Sequence, residues 1–226
     1  MLLTLVAAIL AQAKPAAPWE GIKENSWVLY RISEGDKKTE EKRTLLRIEG
    51  TEGVLKVEPK EGEAKEVREI IVSPPAPDKN TMIGSKYDID GTKYDCGIVE
   101  GRDVTGSTMG QAIVKTKTWL SAASPIPGSF LRKETQVIVA TITVRRETYR
   151  VLHMNVKVRV EGISVSGWQT EKAVEEEDRG TNTKTTEVSW WSHEVPGWLV
   201  KQEKKVTIAG KTTSTKLEVA KFEVAK

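Results

Sequence analysis

The sequence predicts a mainly β protein: one large curved antiparallel sheet, shaped as a half-barrel or open sandwich, with few short helices. Three observations carry that reading. Valine and threonine number 24 and 23 among the 226 residues, and β-branched side chains suit a pleated, half-buried surface. Apolar residues recur with period two, as in Met154-Asn155-Val156-Lys157-Val158-Arg159-Val160, the pattern of a sheet with one wet side. A tryptophan-serine, proline-glycine pattern occurs twice, which predicts an internal duplication of an antiparallel unit.

From the N-terminus, Met1 to Ala13 reads MLLTLVAAILAQA, an apolar run from Leu2 to Leu10 followed by the A-x-A cleavage pattern Ala11-Gln12-Ala13. Residues 1–13 are therefore expected to be a signal peptide, and export to the periplasm or beyond the cell follows. The run is far short of the ~20 apolar residues that span a bilayer, and no later segment approaches that length, so no transmembrane span is expected. Residues 14–18, rich in Ala and Pro, are expected to form a flexible leader, and residues 19–226 a single β-rich domain. Cys96 is the one cysteine. An intramolecular disulfide is thus excluded, and packing alone has to stabilise the chain. The alternating stretch around Cys96 predicts a buried, inert thiol.

Further along, Glu63 to Ile71 carries Val67, Ile70 and Ile71 at helical spacing, and Ser73-Pro74-Pro75-Ala76-Pro77 reads as a stiff extended connector. Asp90-Gly91 between two strand-like arms predicts a type I′ hairpin. Glu34-Gly35, Glu49-Gly50, Glu52-Gly53, Glu100-Gly101 and Ala209-Gly210 punctuate other runs, and Gly101 to Gly110 reads as a loop. The acidic Glu171 to Arg179 stretch suits a helix or a loop. Near the C-terminus the apolar phase moves from Leu217 and Val219 to Phe222 and Val224, which predicts a bulge near Ala220.

The near-repeat pairs Trp119-Leu120-Ser121 and Pro127-Gly128-Ser129-Phe130-Leu131-Arg132-Lys133-Glu134 with Trp190-Trp191-Ser192 and Pro196-Gly197-Trp198-Leu199-Val200-Lys201-Gln202-Glu203. In each, a strand ends at Trp-x-Ser, the chain reverses through Pro-Gly, and a new strand leaves. Upstream, Thr92 to Cys96 matches Glu147 to Val151. The Trp-Trp-Ser-x-Glu-Val-Pro-Gly stretch, with the closing Gly210-Lys211-Thr212 hairpin, resembles uncharacterised exported β-rich bacterial proteins that carry a W-x-S-x-E-V-P-G type motif. The likeness covers about the last forty residues, and Trp119 to Glu134 more loosely. More remotely, the plan resembles the periplasmic lipoprotein-carrier group in architecture. That resemblance implies a half-barrel around acyl chains, although the long helices that plug such half-barrels have no counterpart here.

Several chemistries are missing. The 35 basic and 32 acidic side chains are interleaved, and a net charge of +3 without a basic block excludes nucleic acid as the expected partner. His153 and His193 belong to no zinc-ligand spacing, Gly162 to Gly167 is not a nucleophile elbow, and no phosphate-binding loop occurs. Asp88, Asp90 and Asp95 fit a hairpin better than a calcium loop. No cofactor or metal is expected, and an enzyme would require His193 and Glu194 to converge with a further carboxylate. Tryptophans remain. Trp119 and Trp190 suit the core beside each turn, whereas Trp191 and Trp198, where the first repeat has Leu120 and Ser129, are the candidate ligand-binding residues. The sequence thus predicts an exported, non-enzymatic protein holding a hydrophobic small molecule or lipid, such as a lipoprotein acyl chain, on a curved sheet. The alternative is a structural or interaction module of the cell envelope or extracellular matrix that binds protein or glycan.

Overall fold

In the computed structural model, residues 22–49, 52–70, 83–107, 110–126, 130–178 and 180–225 are described. The predicted signal peptide, the leader, the Ser73–Pro77 connector and Gly50 lie outside them. Thirteen strands form one sheet: β1 Trp27–Glu34, β2 Lys37–Glu49, β3 Glu52–Pro59, β4 Lys65–Ile70, β5 Ile83–Ile89, β6 Thr92–Ser107, β7 Gly110–Leu120, β8 Phe130–Val139, β9 Ile142–Val160, β10 Ile163–Asp178, β11 Thr181–Trp191, β12 Leu199–Ile208 and β13 Lys211–Glu223. The spatial order is β4-β3-β2-β1-β13-β12-β11-β10-β9-β8-β7-β6-β5, antiparallel throughout. The sheet is open, with β4 and β5 at its two edges.

Tight turns make these neighbours. Asp90 and Gly91 both have positive φ, 54° and 78°, as a type I′ turn requires, and the Asp88 carboxylate accepts the Gly91 N–H at 2.9 Å. Glu161-Gly162 and Ala209-Gly210 repeat that pair of signs. The bulge expected near Ala220 is present: Leu29 faces Lys221 and Tyr30 faces Val219, so Ala220 is the extra residue.

Four expectations are corrected. The described residues contain no helix. Residues 65–70 of the predicted helix are strand β4, because pairing with β3 sets Val67 opposite Leu55 and Glu66 opposite Lys56, partners that local spacing does not reveal. The acidic run is strand β10 as far as Asp178, where Glu175 and Glu176 find Arg146, Lys184 and Arg145 across the ladder. Gly53 and Gly101 lie inside strands, and Gly101 to Gly110 is not a loop, since β6 runs to Ser107 and β7 starts at Gly110. Glycine is needed at 101 because a Cβ there would stand 2.6 Å from the Thr116 hydroxyl oxygen.

Two cores occupy this sheet. In the first, Leu45, Leu55 and Val57 of β2 and β3 meet Ile89, Leu131, Val151 and Trp168 from the other half of the sheet, so curling buries one face against itself. In the second, the tip of the β9–β10 hairpin packs Val160 and Val165 on Val28, Tyr30, Val200 and Val219. The β5–β6 tip does the same one unit earlier, placing Tyr87, Ile89 and Tyr94 beside Leu131 and Val151. Cys96 is buried at 5% exposure, and burial pushes its thiol pKa up, in keeping with an inert thiol. Beyond the cores, the far ends of β9 to β13 run on as a single layer of exposed and half-exposed residues.

The β8–β9 turn is built from residues ill suited to it. Ala140 and Thr141 hold positive φ, 47° and 75°, where the other type I′ turns end in glycine. A β-branched residue in that region is strained. Replacing Ala140-Thr141 by Asn-Gly is expected to stabilise the protein by about 1–2 kcal/mol, a Tm gain of about 3–6 °C for a chain of this size, measured by thermal unfolding.

Candidate functional site

The second Trp-Ser to Pro-Gly segment lies between β11 and β12, and its polar atoms fold it onto the tip of β10. The buried Ser192 hydroxyl donates to the Ser166 carbonyl at 2.7 Å and accepts the Glu194 N–H at 3.2 Å. The Glu194 carboxylate accepts the Ser166 N–H at 2.8 Å, so both backbone groups of Ser166 are bound by this loop. The loop closes on itself through Ser192 N–H to the Trp198 carbonyl and Trp198 N–H to the Val195 carbonyl, both 2.8 Å. Gly167 makes the approach possible: a Cβ there would fall 1.7 Å from the Trp191 carbonyl oxygen.

The first segment uses the same device. Ser121 Oγ donates to the Asp95 carbonyl of β6 at 2.8 Å and accepts the Ala123 N–H at 3.4 Å. Both segments then carry the same bulge. Trp119 faces Arg132 and Leu120 faces Phe130, leaving Leu131 extra; Trp190 faces Lys201 and Trp191 faces Leu199, leaving Val200 extra. Arg132 lies 5.0 Å over Trp119 and Lys201 4.3 Å over Trp190, and each cation pairs with the acid two residues on, Glu134 or Glu203. The upstream match does not hold in space. Through its serine contact, Asp95 corresponds to Ser166, so Tyr94 answers to Val165 and not to Tyr149.

Trp198 is 3% exposed and belongs to the first core. Its φ of 60° and the 2.7 Å bond from Leu199 N–H to the Gly197 carbonyl make a γ-turn, a strained conformation for a bulky residue. Its ring stands edge-on to Trp168, centroids 5.9 Å apart, and His193 packs on both, 4.7 Å from Trp168 and 4.2 Å from Trp198. That packing removes part of the water around His193, which stays exposed on its outer side, and lowers its pKa below the usual histidine value. Trp198 Nε1 is buried with no hydrogen-bond partner among the described residues. Trp191 differs. Its indole N–H donates to the Thr170 hydroxyl at 2.9 Å, and Thr170 also bonds Tyr149, whose pKa burial pushes up to about 12.

Trp191 also lines a pocket of about 130 Å³ with Val28, Tyr30, Leu45 and Leu55, closed on one side by Pro196 and Gly197. Tyr30 donates its hydroxyl to the Leu199 carbonyl at 3.1 Å, and the Arg43 guanidinium lies 5.0 Å over the Tyr30 ring. The two tryptophans singled out by sequence thus take different places, Trp191 on the pocket and Trp198 in the core. Tyr30, Arg43 and Leu55 were not foreseen, because they arrive from strands more than a hundred residues earlier. Trp168 could have been found from Gly167-Trp168, a glycine within an alternating strand. His193 and Glu194 do not converge on a further carboxylate: one packs on indoles and the other binds Ser166.

No protein-family model and no curated protein sequence matches the chain. Among solved structures, it is similar to a protein described as exported, with a YmcC-like fold, from Bacteroides fragilis, at 7% identity over 89% of this chain and 97% of that one, with a TM-score of 0.40. It is also similar to the hypothetical lipoprotein YmcC from Escherichia coli, at 8% identity over 96% and 94% of the two chains, TM-score 0.32. A third likeness, to MucB in complex with MucA(peri), has 8% identity over 97% and 94%, TM-score 0.22.

Gly167→Ala is expected to cost about 3 kcal/mol or more, since its methyl group meets backbone and no flexible side chain. Ser192→Ala strands the Ser166 carbonyl and the Glu194 N–H, and is expected to cost about 1–3 kcal/mol. Denaturant titration of both variants measures these losses. His193 carries a pH signature. The unfolded chain takes up a proton near the ordinary histidine pKa of 6.5, while folded His193 resists it until lower pH. This contribution to stability is therefore full above that pH and falls as the solution is acidified through it. Melting curves between about pH 7.5 and 5.5 are expected to fall less steeply in His193→Gln than in the wild type.

Proposed function

We propose that this protein is an exported, non-enzymatic binding module of the cell envelope or extracellular matrix, which works in the periplasm or beyond the cell and engages a protein or glycan partner. The observation that carries the reading is the place of the core. A carrier of acyl chains keeps the inside of its curl open, whereas here Leu45, Leu55, Leu131, Val151, Trp168 and Trp198 occupy it. The pocket beside Trp191, about 130 Å³, is close to the size that takes one benzene ring, and the larger clefts among the described residues, about 380 and 620 Å³, are rimmed by charged and polar side chains such as Arg31, Arg159, Glu203 and Lys205. What the fold offers instead is outside: two sheet edges, β4 and β5, that pair with no further strand among the described residues, and a single-layer blade with solvent on both faces. Edges of this kind accept an added strand from a partner. The apolar Leu2–Leu10 run with its A-x-A pattern supports export. The matched serines and bulges of the two Trp-Ser segments support descent from a duplicated unit.

A second reading, a small hydrophobic ligand, is favoured by the pocket. Trp191 would lie against such a group, and Trp198 would brace the wall formed by Pro196 and Gly197.

The chain recovered from the periplasm of an expressing bacterium and sprayed under native conditions is expected to start at Lys14 and to show the bare polypeptide mass. An intact Met1 N-terminus would remove the export part of the reading. A lipid-sized mass that leaves on denaturation would overturn the module in favour of the carrier.

A further inference from the structure

The register of the sheet sets charge against charge, and most pairs are of opposite sign. Glu100 faces Lys117, Lys117 faces Glu134, Arg150 faces Glu171, Lys172 faces Glu187, and Glu187 faces Lys204. Among the described residues, three pairs set like charges opposite, which costs stability in a sheet. Glu49 and Glu52 share the Arg68 guanidinium, 3.1 Å from each. Arg132 and Arg150 each hold an acid of their own, Glu134 and Glu171. The third pair, Arg102 opposite Lys115, is different: both side chains are exposed, and neither forms an ion pair with a described residue. The nearest acid on their face, Glu100, is held by Lys117 at 2.9 Å. Their row continues through neutral Gln136 to exposed Arg146, whose neighbour Glu175 is bridged by Lys184 at 2.7 Å.

Two residues nearer the end of the sheet, and by strand alternation on the same face, the register aligns Val104, Ile113 and Ile138. Val104 is 55% exposed, and β6, β7 and β8 make their main contacts with their sheet neighbours, so no further layer of described residues covers the row. Folding does not account for this arrangement, because a glutamate at 102 or 115 would have completed the charge pattern used elsewhere. A lipid surface does account for it. Cations meet headgroup phosphates while apolar side chains enter the boundary with the acyl chains, and each basic residue near an anionic leaflet adds to the attraction.

We propose that this end of the sheet, with Arg102 and Lys115 beside Val104, Ile113 and Ile138, docks the protein on a membrane surface that carries anionic phospholipids. The proposal involves none of the residues that line the Trp191 pocket and does not depend on the partner argued above.

The test is flotation of the full chain with phosphatidylcholine vesicles, plain or with phosphatidylglycerol added. Binding is expected to require phosphatidylglycerol and to weaken with salt. Arg102→Gln and Lys115→Gln are each expected to weaken it about five-fold, and together about thirty-fold. Val104→Ser is expected to weaken it as well. Lys115→Glu supplies Arg102 with an acid, so its melting temperature should hold or rise while vesicle affinity falls, a combination that a folding defect cannot produce. Absence of binding would overturn the proposal, as would equal binding to neutral vesicles, which residues 1–13 alone could give. Unchanged affinity in Lys115→Glu, or capture by an acidic protein without vesicle binding, would overturn it too.

Discussion

Thirteen strands in one sheet, with no helix among the described residues, leave the apolar face without a second layer, and the rest of the structure depends on how that layer is made. The sheet makes it from its own hairpin tips. A tip can fold over only where the ladder is interrupted and the freed backbone groups find other partners. The serine at the end of each Trp-x-Ser meets both requirements. Ser192 takes the Ser166 carbonyl and Ser121 the Asp95 carbonyl, while each hydroxyl also receives an N–H from its own loop. In the second segment Glu194 adds the Ser166 N–H. With the tips held down, Val160 and Val165 cover Tyr30 and Val200, and Ile89 and Tyr94 cover Leu131 and Val151.

Bringing the loop this close has local costs, and they concentrate around Trp198. Its backbone is held in a γ-turn, Gly197 before it also has positive φ, and its indole N–H is buried without a partner among the described residues. Such strain persists where the surroundings over-determine it. Here the two backbone bonds across the loop, the Trp168 edge contact and the neighbouring Val195, which is fully buried, fix the position of the ring. The result is a plug that, with Leu45, Leu55 and Leu131, fills the inside of the curl. The burial that stabilises the sheet is thus the same burial that argues against a carrier.

Much of this was legible in the sequence because it rests on local chemistry. Alternation located the strands, Asp90-Gly91 and Ala209-Gly210 located turns, and the phase change near Phe222 located the Ala220 bulge. Other features were hidden for physical reasons. Val67 and Ile70 are at helical spacing and fall on opposite faces of a strand, so only a partner strand offering Leu55 and Lys56 makes this segment β4. The acidic run of β10 looks solvated in isolation because its cations stand on β9 and β11. Gly101 was read as punctuation, although its missing side chain makes room for a cross-strand threonine. The pocket could not be foreseen at all, since Trp191 meets Tyr30 and Leu55 only after β1 to β3 close against the C-terminal strands.

The blade beyond the cores raises a problem of register, for a strand wet on both faces has no buried side to punish a slip. Alternating charge supplies part of the answer. A shift of two residues between β6 and β7 would move Lys117 from Glu100 to Arg102, turning an attraction into a repulsion. Each exposed pair adds only ~0–1 kcal/mol. Repeated across β9 to β12, however, as Arg150 with Glu171, Lys172 with Glu187 and Glu187 with Lys204, these pairs favour one alignment over its neighbours without any core. Short, charged β4 carries the same logic to the edge, where Glu66 meets Lys56 and the guanidinium of Arg68 lies between Glu49 and Glu52. Charge pattern in this protein therefore does the aligning that apolar pattern does in a sandwich, and a break in it stands out against the background as clearly as a buried charge would in a core.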